Sequence, residues 1–103
     1  MGAPEAKIEN YLRRRVREGG GLIRKVRWIG RRGAADNIVA WEYPRFAYVE
    51  CKREGEVVDW DSPQGREIKR LRALGYPVYV VNSKPAVDRM IAEVKGGIRW
   101  GTP

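Results

Sequence analysis

One short apolar segment constrains the fold of this chain more than any other feature. Residues 76–81 read YPVYVV, a nearly unbroken run of apolar and aromatic side chains. Such a run predicts a strand that is covered on both faces, because a half-exposed strand alternates apolar and polar residues. Helical patterns precede and follow it. We therefore expect an α/β domain in which helices pack on both faces of one sheet.

Three segments have the apolar spacing and the end residues of helices: 4–18, 63–74 and 85–95. Ser62 reads as the N-cap of the second helix, with Pro63 at the first helical position, and Gly75 ends it. The residues that form apolar stripes on the first and third helices are Ile8, Leu12, Val16, Val87, Met90, Ile91 and Val94.

Three further segments are predicted strands. Residues 22–29 alternate apolar and basic side chains, which places Leu22, Val26 and Trp28 on one side. Residues 37–43 and 46–53 are rich in β formers and are separated only by Pro44-Arg45, which predicts a tight hairpin. The order is αβββαβα, and a right-handed crossover through the second helix predicts a mixed sheet. We expect residues 1–103 to form a single domain.

Composition excludes several classes of chemistry. The chain has no His and a single cysteine, Cys51, so Ser-His-Asp triads, zinc fingers and disulfide frameworks are impossible within it, and any metal must be held by oxygen. A formal charge of +8 favours nucleic acid as the partner. No apolar run is long enough for a membrane span or a signal peptide, so we expect an intracellular protein.

Two acids and a lysine are expected to converge at one end of the sheet. Glu50 and Lys52 are two residues apart on a strand and therefore project from one face. A hairpin about Pro44-Arg45 returns Asp36 to a position near Lys52. Two neighbouring carboxylates repel each other unless a cation joins them, and Mg²⁺ prefers such ligands. A lysine beside them would position a water or stabilise the transition state, which describes phosphodiester hydrolysis.

Polar residues on the helices add to this group. The helical spacing turns Gln64 toward the sheet, as a site residue or a buried hydrogen-bonding group. Glu5 lies in line with the apolar stripe of the first helix and Glu9 lies on its flank, so either is a candidate third carboxylate. Lys25 is either an auxiliary site residue or a solvated strand position. Cys51 faces away from Glu50 and is expected to be a small buried hydrophobe.

In addition to Lys25, whose solvated strand position could face DNA, three residues are candidates for DNA contact. Arg31 and Arg32 lie in the loop before Asp36, where a DNA backbone must pass to reach the metal. Trp60 lies in the loop before Gln64, where it would either wedge a strand at a branch point or pack across a dimer.

These residues together resemble the VRR-NUC domains of the PD-(D/E)xK nuclease superfamily over residues 5–82. One departure is Ala35, which stands where the family pattern has proline before the acid, so the loop is expected to be less rigid without loss of a ligand. The matching features are Glu5 and Glu9, Gly19-Gly20-Gly21, Lys25, Gly33-Ala34-Ala35-Asp36, Val49-Glu50-Cys51-Lys52, Gln64, and Leu74-Gly75 before the apolar strand.

The resemblance implies a restriction-endonuclease-like core and a role for each matching residue. Asp36, Glu50 and the backbone carbonyl of Cys51 would bind Mg²⁺ or Mn²⁺, with no small-molecule cofactor. Lys52 would be the catalytic lysine, Gln64 a positioning residue, and Glu9 or Glu5 an outer carboxylate.

Small stand-alone members of this family are typically viral. The resemblance therefore implies a homodimer that resolves four-way DNA junctions in the cytoplasm of a bacterial host. Cleavage of flapped, nicked or linear DNA remains an alternative. A second alternative is a basic nucleic-acid-binding module without catalytic activity.

Overall fold

The structure is a computed structural model that describes residues 2–27 and 35–96. Over these ranges the element order is the predicted αβββαβα. The elements are α1 (Glu5–Glu18), β1 (Leu22–Lys25), β2 (Asn37–Ala40), β3 (Phe46–Cys51), α2 (Pro63–Ala73), β4 (Val78–Val81) and α3 (Lys84–Lys95). None of the described helices is long and apolar enough to cross a membrane.

The four strands form one mixed sheet in the order β1-β2-β3-β4. Strand β2 is antiparallel to both of its neighbours, β1 and β3, whereas β3 and β4 run parallel and are joined through α2. Asn37 pairs with Val49 across β2 and β3, and Glu50 pairs with Val80 across β3 and β4. The predicted mixed sheet is therefore confirmed.

Helices cover both faces of the sheet, as the apolar run predicts. The larger core lies between the sheet and the pair α1 and α3, and it contains all seven stripe residues of those helices. A smaller core lies under α2, where Ile68 packs with Ala35 and Val78. Strand β4 contributes Val81 to the first core and Val78 to the second, which is why its sequence is apolar on both sides.

The helix ends follow local sequence signals to within one residue. The Ser62 hydroxyl accepts a hydrogen bond from the Gly65 N–H at 3.0 Å, and the Ser83 hydroxyl accepts one from the Ala86 N–H at 3.1 Å. Gly75 has a φ of +91°, which favours glycine after the end of a helix. The Tyr76 N–H donates to the Leu71 carbonyl, so the chain is still turning there and β4 begins two residues later than predicted.

The hairpin between β2 and β3 is wider than predicted. The Trp41 N–H donates to the Arg45 carbonyl at 2.8 Å and the Arg45 N–H donates to the Glu42 carbonyl at 3.0 Å, so the chain reverses over residues 41–45. Strand β2 consequently ends at Ala40 instead of residue 43, and β3 ends at Cys51 instead of residue 53. The predicted register is wrong by two residues, because the pairing places Asp36 level with Glu50 and not with Lys52.

Strand β1 also differs from its prediction. It ends at Lys25, and its buried residue is Ile23, whereas Leu22 is 50% exposed. Leu22 and Ile23 lie on opposite sides of this edge strand, and the side of Ile23 is the one that packs on α1. Trp28 of the predicted strand, the candidates Arg31 and Arg32, and residues 97–103 lie outside the described residues.

Candidate active site

Strand β3 separates its polar and apolar side chains as predicted. Val49 and Cys51 belong to the core beneath α1 and α3, while Glu50 lies on the opposite face and is only 8% exposed. Lys52 follows directly, half-buried, and its N–H donates to the Val81 carbonyl at 2.9 Å. This bond continues the pairing with β4 beyond the strand, so the backbone of Lys52 is held beside Glu50.

Asp36 brings the second carboxylate to the same end of the sheet. The β2–β3 register continued by one residue places it level with Glu50 on the neighbouring strand, and its side chain is partly exposed. The Asp36 carbonyl accepts from the Val26 N–H at 2.8 Å, which ties it to the segment after β1 as well. The two acids and the lysine therefore meet at one end of the sheet as predicted, but Asp36 lies opposite Glu50 and not opposite Lys52.

The electrostatics of Glu50 reflect this crowding. Burial raises the pKa of Glu50 to about 7, and the negative charge of Asp36 acts in the same direction. The Lys52 charge and a hydrogen bond from Gln64, in the first turn of α2, oppose the rise. Helix α2 thus delivers Gln64 to the site, as predicted. Glu5 is exposed, and its negative charge raises the pKa of Glu50 slightly further.

Glu9 occupies a different position from Glu5. Its carboxylate accepts hydrogen bonds from Lys25 Nζ at 2.9 and 3.1 Å and from Asn37 Nδ2 at 3.1 Å, and Arg13 lies 3.6 Å away. Burial alone would raise the pKa of Glu9, but these hydrogen bonds and positive charges outweigh it and hold the pKa below its ordinary value. The carboxylate of Glu9 is therefore charged, and both of its oxygens have polar or charged partners.

The structure brings Lys25 to the edge of the site. Lys25 Nζ lies 3.5 Å from Asp36 Oδ2 as well as bonding to Glu9, and the hydrogen bond to Glu9 raises the pKa of Lys25. The side chain is nevertheless about half exposed, so it also remains accessible to a DNA backbone.

Sequence reasoning missed Asn37. This side chain is fully buried, and its Nδ2 donates to both Glu9 and Asp36. The available signal was a polar residue at an inward position of the strand NIVA, where Val39 is the next inward residue.

The side chains of Cys51 and Trp60 lie apart from the group around Glu50. Cys51 is 1% exposed in the α1 and α3 core, and burial raises the pKa of its thiol to about 12, so it is the expected buried hydrophobe. The Trp60 ring is 42% exposed and lies 5.6 Å from the guanidinium carbon of Arg72. Because Arg72 donates to the carbonyl of Val78, this contact directs the ring toward the start of β4.

The donor set around Asp36 fits a hard divalent cation. Residues 2–27 and 35–96 contain no group of three acidic or cysteine side chains close enough to hold a metal, so the candidate site offers two carboxylates. Mg²⁺ is held in proteins by one or two carboxylates with several retained waters. A cation between Asp36 and Glu50 would also remove the repulsion that contributes to the raised pKa of Glu50.

Comparisons with known proteins agree with the fold. No family model matches the sequence. A curated protein named "Putative nuclease p44", from Acyrthosiphon pisum secondary endosymbiont phage 1, is 42% identical over 81 residues, which are 78% of this chain and 84% of the relative. A solved structure named "VRR_NUC domain" matches with a TM-score of 0.76 and 36% identity, covering 86% of this chain and 95% of the other. On these similarities and this fold, the chain belongs to the VRR-NUC family of nucleases.

Proposed function

We propose that this chain is a metal-dependent endonuclease that hydrolyses phosphodiester bonds in DNA. The observation that carries the proposal is the meeting of the Asp36 and Glu50 carboxylates with Lys52 and Gln64 at one end of the sheet. A merely structural ion pair needs one acid and one base. This group instead places two acids together and buries one of them, which costs free energy unless a cation is shared.

Asp36 and Glu50, with the backbone carbonyl of Cys51, would hold Mg²⁺ or Mn²⁺. When bound, the cation supplies Lewis acidity toward the scissile phosphate. Lys52 either positions the attacking water or stabilises charge on the phosphate in the transition state. Gln64 keeps Glu50 in place through its hydrogen bond. Water oxygen bonds to phosphorus as the bond to the leaving oxygen breaks.

The DNA backbone would approach from the side of Lys25. Lys25 is half exposed and 3.5 Å from Asp36, so a phosphate near the carboxylates would lie within reach of its ammonium group. Arg31 and Arg32 precede Asp36 in sequence and are proposed to bind the same strand. Trp60 is exposed enough to stack on an unpaired base, although its ring packs against Arg72.

We further propose that the substrate is branched DNA, cut by a homodimer. One site of this kind cuts one strand, whereas resolution of a four-way junction requires paired cuts on opposed strands. Two copies related by a two-fold axis match the symmetry of such a junction. Large apolar side chains, Leu74 and Tyr76, are exposed beyond the end of α2, and we propose that the second copy packs there.

The test compares cleavage of a labelled four-way junction, a flap, a nicked duplex and a linear duplex. Each substrate is incubated with Mg²⁺, Mn²⁺ or EDTA. Wild type is compared with Lys52→Ala and with the control Lys95→Ala. Lys95 is a matched lysine because its ammonium group bonds to the Gly19 carbonyl at 3.1 Å, remote from the carboxylates.

Paired cuts in the junction that require metal and Lys52, but not Lys95, support the proposal in full. Metal-dependent cuts confined to flaps, nicks or linear ends would retain the nuclease and overturn the junction preference. Binding to every substrate without cleavage under any metal would leave a basic nucleic-acid-binding module and overturn the proposed activity.

A further inference from the structure

A buried amide lies between two carboxylates beside the candidate metal site. Asn37 begins β2 with a side chain that is 0% exposed, on the face of the sheet that α1 covers. Two of its neighbours on that face, Val39 and Val49, are apolar, and the third is Lys25, which pairs with it from β1. Burying an amide without hydrogen bonds costs free energy, and here only the amide nitrogen offsets that cost, because Asn37 Oδ1 has no partner among the described residues. Asn37 Nδ2 donates to Glu9 Oε2 at 3.1 Å and to Asp36 Oδ1 at 3.1 Å.

Lys25 joins the same two carboxylates a second time. Its Nζ lies 2.9 and 3.1 Å from the two oxygens of Glu9 and 3.5 Å from Asp36 Oδ2. Asp36 is therefore held at Oδ1 by an amide and at Oδ2 by an ammonium group. A carboxylate held at both oxygens cannot rotate freely, yet each oxygen has two lone pairs and keeps acceptor capacity for a cation.

We propose that Asn37 is a positioning residue that orients the Asp36 carboxylate for metal binding, and that Glu9 acts through Asn37 and Lys25. The inference rests on the proposed function, since it requires Asp36 to be a metal ligand. Glu9 is the anchor of this arrangement because it receives both donors and is itself largely buried. In this view Glu9 does not reach the cation.

A purely structural role for Asn37 predicts a different outcome. The amide joins α1 to β2, so its loss would lower the stability of the fold in either case. Loss of an outer hydrogen bond to a metal ligand characteristically weakens metal binding by about 10- to 100-fold. A structural residue would leave the affinity of the folded protein for metal unchanged.

The experiment is calorimetric titration of MgCl₂, and separately MnCl₂, into the DNA-free protein. Wild type is compared with Asn37→Leu, which removes the hydrogen bonds at similar volume, and with Val39→Ala. Val39 is the matched control because it is fully buried on the same strand and face. Circular dichroism in EDTA verifies that each variant is folded and measures its stability. We expect about 10-fold weaker metal binding or worse for Asn37→Leu, and an unchanged affinity for Val39→Ala.

Equal metal affinity in wild type and Asn37→Leu would overturn the inference while leaving the metal site intact. Absence of metal binding by wild type would overturn the metal site and the inference with it. If Asn37→Leu does not fold, Asn37→Ser is used instead, because its shorter side chain cannot bond to both Glu9 and Asp36 and adds no volume to the core. The same weakening of metal binding is expected.

A second variant tests the role of Glu9. Glu9→Gln keeps a carbonyl oxygen that accepts from Asn37, so we expect it to retain most of its metal affinity. A loss as large as that of Asp36→Asn would make Glu9 a ligand and overturn its assignment as an anchor.

Discussion

Glu50 is the residue at which folding and function conflict. Its carboxylate is 8% exposed, and burial together with the Asp36 charge raises its pKa to about 7 from an ordinary value of 4.5. The folded metal-free protein therefore binds more protons than the unfolded chain between these two values. Its free energy of unfolding consequently falls as the pH rises through that window. Hydrogen bonding by Gln64 and the Lys52 charge limit the penalty without removing it.

We expect this penalty to be measurable in EDTA. Between about pH 5 and about pH 8, wild type should lose up to about 3 kcal/mol more unfolding free energy than Glu50→Gln, which has no carboxylate to ionise there. Urea unfolding at the two pH values measures the difference. Glu50→Gln should also be inactive in DNA cleavage. Identical pH dependence in the two proteins would contradict the buried charge.

Among the elements, helix α2 combines two features: a first turn that carries Gln64 to the site, and an outward face of basic side chains. Its first turn is fixed by the hydrogen bond between the Ser62 hydroxyl and the Gly65 N–H, and that turn carries Gln64 to Glu50. Its outward face, opposite Ile68, presents Arg66, Lys69 and Arg70 to solvent.

The cap of α2 should matter for activity as well as for stability. Ser62→Ala removes the N-cap and should cost about 1 kcal/mol in unfolding free energy. Because the first turn then loosens, cleavage of DNA should fall as well. Ser83→Ala is the matched control, since Ser83 caps α3 in the same way, with its hydroxyl 3.1 Å from the Ala86 N–H. It should lose similar stability and keep its activity, and equal activity in the two variants would contradict a role for the turn.

The cations of α1 and α2 should contribute differently to DNA binding. On α1, Arg14 pairs with Glu18, and Arg15 pairs with Glu18 and Asp88. On α2, Arg66 and Lys69 have exposed side chains, and the Arg66 guanidinium is bonded to a backbone carbonyl, which leaves its charge uncompensated by that contact.

We therefore expect Arg66→Ala with Lys69→Ala to weaken binding and to reduce the slope of log affinity against log salt by about 2, or about 1 for each DNA phosphate that is no longer neutralised. Arg14→Ala with Arg15→Ala serves as the control of equal charge change. Fluorescence anisotropy across a salt series measures both. Equal slopes in the two double variants would contradict a specific role for α2.

At the scale of the whole molecule, the proposed junction cleavage needs a second copy. The chain has a mass of 11.8 kDa, so analytical ultracentrifugation of the homodimer should give a mass of about 24 kDa, twice that of one chain. Leu74→Asp places a charge where the apolar side chain is 75% exposed and should shift the protein toward monomer. Junction resolution should then fall more than single-strand nicking. A monomeric wild type that still makes paired cuts would contradict the dimer.

Local sequence was sufficient for the elements and for part of the site. Caps such as Ser62 and the apolar spacing of the helices act within a few residues, and the two-residue period of a strand places Glu50 and Lys52 on one face in any context. The pairing of strands was harder to predict, because five residues turn where two were expected, and this shifted Asp36 from Lys52 to Glu50.

Short-range periodicity and residue chemistry were therefore enough to predict the α/β order, the helix boundaries to within one residue and the identity of the acids and the lysine. Three properties could be read only from the packed fold: which face of β1 is buried, the link that Asn37 and Lys25 make between Glu9 and Asp36, and the raised pKa of Glu50. These properties depend on helices α1 and α2 packing against opposite faces of a sheet built from distant segments. They arise from the long-range burial and charge proximity that no local pattern specifies.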